Sequence, residues 1–96
     1  MSPVKKKKLI KLRKQLDALD NAFIKLVKKR TSIVDQVLKL KDSKIQIVDR
    51  KRIKVILNKI KRKSIKQNID QKITRRIWKN MIWSYIDYER RNFKKK

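Results

Sequence analysis

The stretch that decides the fold runs Leu9-Ile10-Lys11-Leu12-Arg13-Lys14-Gln15-Leu16-Asp17-Ala18-Leu19-Asp20-Asn21-Ala22-Phe23-Ile24-Lys25-Leu26-Val27-Lys28-Lys29-Arg30-Thr31-Ser32-Ile33-Val34-Asp35-Gln36-Val37-Leu38-Lys39-Leu40. Apolar residues stand at Leu9, Leu12, Leu16, Leu19, Phe23, Leu26, Ile33, Val37 and Leu40, in steps that alternate three and four. One position of that series, between Leu26 and Ile33, is polar: Arg30. This is a heptad seam. It predicts one long helix that packs against another helix along most of its length. Ser2 suits the N-cap and Pro3 the first helical position. The helix is expected over about 3–42, roughly 60 Å at 1.5 Å per residue. That is too long for a compact monomer of 96 residues, so the helix needs a partner chain.

Beyond it, Asp42-Ser43-Lys44 loses the seam and reads as a loop through about Val48. Asp49 can cap a second helix, with Ile53, Ile56, Leu57 and Ile60 on one face and an end near Ser64. Asp70, preceded by Ile69, opens a third. Its apolar face runs Ile73, Ile77, Trp78, Met81, Ile82, Tyr85 and on to Phe93. No strand-like alternation occurs. The expected fold is all-α: three helices, long, short and medium, in one domain over 1–96 with basic, frayed ends at about 1–8 and 93–96.

Composition narrows the chemistry. The chain has no Cys, no His and no Gly, and a single Pro. It therefore lacks a disulfide framework, the usual zinc ligands, a thiol nucleophile and an imidazole base. Glycine-dependent phosphate loops are also excluded. No metal and no cofactor is expected. Lys plus Arg number 32 against 8 Asp plus Glu, a formal charge of +24. A basic helical dimer that binds nucleic acid is one reading of that excess, with Trp78, Trp83, Tyr85 and Tyr88 available for stacking. The other is codon bias: 23 Lys, 14 Ile and a single Glu suit an AT-rich genome, and the charges are scattered along the chain. A nucleic-acid partner is accordingly disfavoured. No apolar run is long enough to span a membrane, and the start leads into no signal-like segment. A cytoplasmic location is the default expectation.

Some polar residues do not fit a plain helical bundle. Arg30 interrupts the seam, where an unpaired charge is costly; it is either a register-setting residue that snorkels outward or a ligand. Lys41, 11 residues on, would project from nearly the same side of the expected helix, about 16 Å along its axis. Arg13 precedes Arg30 by 17 residues, about 25 Å, on a different side. It can reach the same small ligand only from the symmetry mate of an antiparallel dimer. Asp49 and Arg52 open the second helix as a cap with a surface ion pair, worth under about 1 kcal/mol. Tyr85 and Glu89 lie at i and i+4 on or beside the apolar face of the third.

Taken together these residues resemble the all-helical chorismate mutases. Leu12-Arg13, the Leu16-Asp17 and Leu19-Asp20 pairs, Leu26 to Arg30, Val37 to Lys41, Asp49-Arg50-Lys51-Arg52 and Ile73 to Glu89 fall in the family's order and spacing. The resemblance implies an intertwined homodimer with two sites. In each, Arg13 of the partner subunit and Arg30 bind the two carboxylates of the substrate. Lys41 contacts a carboxylate and the ether oxygen of the breaking bond. Arg52 and Asp49 complete a polar wall, and Glu89 donates a second hydrogen bond to that oxygen. The implied reaction, chorismate to prephenate in aromatic amino acid biosynthesis, is pericyclic. It needs a dicarboxylate held in a folded shape and positive charge at one oxygen, so Arg and Lys suffice.

Some positions resemble instead the isochorismate-pyruvate lyases of the same fold. Ile53 stands where most mutases carry Glu, and Tyr85-Ile86 where many carry a small residue. Glu89 favours the mutase, which is the preferred reading; the lyase, acting on isochorismate, is the alternative.

Overall fold

The computed structural model describes residues 1–95, and among these every regular element is helical. Helix α1 spans Pro3–Lys39, a 3-10 turn spans Lys44–Ile47, α2 spans Arg50–Lys66 and α3 spans Gln71–Asn92. Lys96, the last residue of the expected basic tail, lies outside the described residues. Among the described residues no helix is long and apolar enough to cross a membrane. The chain divides into two compact units, Met1–Ile33 and Val34–Lys96.

The first unit is the main part of α1. It starts where Ser2 accepts on its side-chain oxygen from the Lys5 N–H at 3.2 Å, a capping bond, with Pro3 as the first helical residue. Lys5 to Lys8 lie within the opening turns of the helix. No residue of 1–33 is buried. The seam residues Leu12, Leu16, Leu19, Phe23 and Leu26 each expose 56–60% of their surface. A lone helix with an open apolar stripe has no core of its own.

α1 ends three residues short of the expected 42. Its last turn tightens: the Leu40 N–H donates to the Val37 carbonyl at 3.0 Å and the Lys41 N–H to that of Leu38 at 3.1 Å. Next, the Gln46 side-chain oxygen accepts from the N–H groups of both Asp42 and Ser43. Those two donors are thereby withdrawn from any further helical ladder. The expected loop through Val48 is mostly the 3-10 turn.

In the second unit α2 and α3 form a helical hairpin. Asp49 caps α2 by accepting from the Arg52 N–H at 3.0 Å, and Asp70 caps α3 by accepting from the Lys72 N–H at 2.7 Å. α2 runs two residues past Ser64 and closes in a Schellman motif. There the Ile69 N–H donates to the Ser64 carbonyl at 2.9 Å and the Asn68 N–H to that of Ile65 at 3.2 Å. Asn68 takes φ 55°, the left-handed conformation glycine usually fills; in a chain without glycine, Asn is the next best tolerated residue. Nearby, the buried Ser64 hydroxyl lies 2.7 Å from the Thr74 hydroxyl, joining the two helices.

The core of this unit is small. Leu38, Ile47, Ile82 and Ile86 are buried, and Val48, Ile53, Ile56, Leu57 and Phe93 pack against them. It therefore joins the end of α1, the 3-10 turn, α2 and α3. Of the face expected on α3, Ile82 is buried, whereas Ile73 and Ile77 are exposed.

Candidate active site

Lys41 and Glu89 meet in the second unit. The Lys41 ammonium donates to the Glu89 Oε2 at 2.7 Å across 48 residues of sequence. Glu89 is 7% exposed, and Lys41 is half-buried. Glu89 owes its position to helical spacing: Ile82, Ile86 and Glu89 follow at steps of four and three on the inner face of α3, so the carboxylate shares that face with two core isoleucines. Lys41 owes nothing to helical spacing. It follows the last turn of α1, so the expectation of a helical Lys41 three turns beyond Arg30 is corrected: the tightened turn and the Gln46 bonds end the helix first. A buried carboxylate without a cation would be costly, and the pairing answers it.

The remaining residues of the expected set in this unit stand at the start of α2 and on α3. The Asp49 carboxylate is bonded to the backbone N–H of Arg52 rather than engaged with its guanidinium, so it acts first as the α2 cap. Arg52 itself is exposed in the first turn of α2. Ile53, one residue on, is half-buried against the core. Tyr85 is half-buried one turn before Glu89, and its ring meets that of Tyr88 edge to face, with centroids 6.4 Å apart and planes at 89°. An open cleft of about 900 Å³ passes the 3-10 turn, the start of α2, Trp83 and Arg90; of the expected set only Asp49 lines it.

Arg13 and Arg30 belong to the first unit. Both are exposed on α1, 17 residues apart in sequence, which is about 25 Å along a continuous helix. The separation that prevents both from serving one small ligand within a subunit therefore holds.

The periodicity of the sequence did not reveal one further polar link. The Tyr88 hydroxyl donates to the Asp35 Oδ1 at 2.8 Å. This bond, and secondarily burial, hold the Tyr88 phenol above its ordinary value of 10.0, so it stays a donor. Carboxylates are scarce here, 8 in 96 residues, and that scarcity is the one signal that marks Asp35.

Chemically the site offers an ammonium and a carboxyl group side by side in a partly dry setting. No nucleophile is poised on them. When the carboxyl group carries a proton, such a pair can donate hydrogen bonds to one oxygen atom of a bound molecule from two directions.

Comparison with known proteins agrees with this chemistry. Residues 12–90 match the family model described as chorismate mutase type II. A chorismate mutase of Methanocaldococcus jannaschii is 33% identical over 76 residues, covering 78% of this chain and 77% of that protein. No solved structure gives a significant match.

Proposed function

The chain belongs to the chorismate mutase type II family, and from that membership we infer that it rearranges chorismate to prephenate as follows. The observation that carries the reading is the 2.7 Å contact between Lys41 and Glu89. In the rearrangement a carbon–oxygen bond breaks while a carbon–carbon bond forms, and negative charge grows on the ether oxygen. Lys41 supplies a cation to that oxygen and to a neighbouring carboxylate. Glu89, when it carries a proton, donates a second hydrogen bond to the same oxygen. Arg30 binds a carboxylate through its planar fork, and Arg13 of the partner subunit binds the other. Asp49 and Arg52 form the polar wall, with Ile53 and Tyr85 against the ring. No covalent intermediate arises. The catalytic contribution is orientation plus preorganised charge.

This reading requires an intertwined homodimer of a single-domain subunit. The exposed seam on α1 supports it: Leu12, Leu16, Leu19, Phe23 and Leu26 are each more than half exposed, and covering each one stabilises by on the order of 1 kcal/mol. A cytoplasmic location goes with a biosynthetic role.

Ile53 favours a second reading. It is apolar and packs against the core, where a carboxylate would be wanted to bond the ring hydroxyl of chorismate. Isochorismate carries that hydroxyl elsewhere, and its cleavage to salicylate and pyruvate uses the same clamp. The test is an assay of the purified protein on chorismate and isochorismate in parallel. Prephenate from chorismate is expected. Salicylate and pyruvate from isochorismate, with chorismate untouched, would replace the mutase by the lyase.

A further inference from the structure

Lys41 stands outside α1, so helical geometry does not hold it in place, yet it meets Glu89 at 2.7 Å. A second bridge joins the same two chain segments. Asp35 precedes Lys41 by six residues and Tyr88 precedes Glu89 by one, and the Tyr88 hydroxyl donates to the Asp35 Oδ1 at 2.8 Å. Buried Leu38 lies between Asp35 and Lys41 in sequence and anchors the segment in the core. The ring of Tyr88 also abuts Tyr85, at 6.4 Å between centroids. At its far end, the Tyr88 carbonyl accepts from the Asn92 side chain at 2.8 Å, which ties down the last turn of α3.

We propose that Asp35 and Tyr88 are positioning residues, a clasp between the end of α1 and the last turns of α3 that sets where Lys41, Glu89 and Tyr85 stand relative to one another. Neither residue touches the reacting atoms. The Lys41–Glu89 contact by itself is a single flexible bridge, since the lysine stem has several rotatable bonds. Two bridges from one segment to the other define both distance and register. A neutral phenol suits the role: it stays a donor across the pH range in which the enzyme works. The inference rests on the reading that Lys41 and Glu89 flank the ether oxygen.

Three variants test it on the full chain. Tyr88→Phe keeps the ring against Tyr85 and removes the donor. Asp35→Ala removes the acceptor, and Asp35→Asn retains one. Two readouts are taken on folded protein: kcat and KM for chorismate, and the acylation rate of Lys41 by a small anhydride, followed by mass spectrometry against exposed Lys61. In Tyr88→Phe and Asp35→Ala, kcat is expected to fall about three- to tenfold, the scale of one hydrogen bond, with KM nearly unchanged. The double variant is expected to be no worse than either single one. Lys41 acylation is expected to rise by a similar factor, and Asp35→Asn is expected to restore both readouts. Unchanged kcat or unchanged Lys41 acylation in folded Tyr88→Phe would overturn the clasp; Asp35→Ala carries the same test if Tyr88→Phe does not fold. A wild type that turns over neither substrate while Tyr88→Phe still unmasks Lys41 would sink the mutase reading and leave the clasp standing.

Discussion

The single glutamate of the chain, Glu89, receives the Lys41 ammonium at 2.7 Å, although 48 residues separate them. The lysine charge is thus answered from within the chain. On the proposed reading, a bound dicarboxylate competes with Glu89 for Lys41. A carboxylate that is to donate a hydrogen bond must also first gain a proton, whereas an amide donates at any pH.

Replacing Glu89 by Gln is therefore expected to flatten the pH dependence of kcat and to raise activity near neutrality. The amide still accepts from Lys41, so folding should survive. Profiles of kcat from about pH 4 to 9 for both proteins check this. An unchanged profile would remove Glu89 from the site.

Arg30 is expected to matter more than its exposure suggests. On the proposed reading Arg30→Ala deletes one bidentate carboxylate ligand, and it is expected to cost catalysis about a hundredfold or more, the scale of one preorganised donor. The measurement is kcat/KM with chorismate. A fully active variant would dismiss Arg30 as a seam residue only.

Arg13 lies about 25 Å from Arg30 along α1, so on the proposed reading the two arginines of one site come from two subunits. Arg13→Ala and Arg30→Ala proteins are each expected to be nearly inactive alone. Unfolded and refolded together, they are expected to regain about a quarter of wild-type activity. Half of the dimers are then mixed, and each mixed dimer holds one intact site of two. No recovery in a mixture shown to contain mixed dimers would place Arg13 elsewhere.

Asn68 allows a stability prediction far from the chemistry. At φ 55° a side chain with Cβ but no local polar group is strained. Asn68→Ala is expected to cost about 1 kcal/mol, and Asn68→Gly to cost nothing or to stabilise slightly. Denaturant midpoints measure both.

Tyr88 adds a pH term of definite sign. Its phenol is raised above 10.0, chiefly by donating to Asp35, so the folded state holds the proton more tightly than the unfolded state. The contribution is therefore full below the unfolded value and is lost as pH rises through the folded one. Relative to Tyr88→Phe, wild type is expected to lose stability as pH rises above about 10. Thermal melts of the two proteins across that range check the difference, and parallel curves would refute it.

How far the sequence leads differs from element to element. The caps at Asp49 and Asp70 and the inner face Ile53, Ile56 and Leu57 were legible because each rests on neighbours within a turn or two. The end of α1 was not. Heptad spacing carries on through Leu40, but the Gln46 side chain takes the next two N–H groups, and periodicity does not register such a competition. The polar residues Arg13, Arg30, Lys41, Asp49, Arg52 and Glu89 could be listed by their family spacing, yet the partner of each could not be.

By itself, the sequence determined an all-helical chain with an apolar stripe too long to leave uncovered, and a chemistry without a thiol nucleophile or an imidazole base. Periodicity and composition are local properties, so they need no fold to be read. Only the tertiary structure decided that Lys41 leaves the helix to meet Glu89 and that Tyr88 reaches Asp35 across 53 residues. Those pairings arise when the buried faces of separate segments dock on one core. Docking brings together groups distant in sequence, and it also sets the charges they must answer.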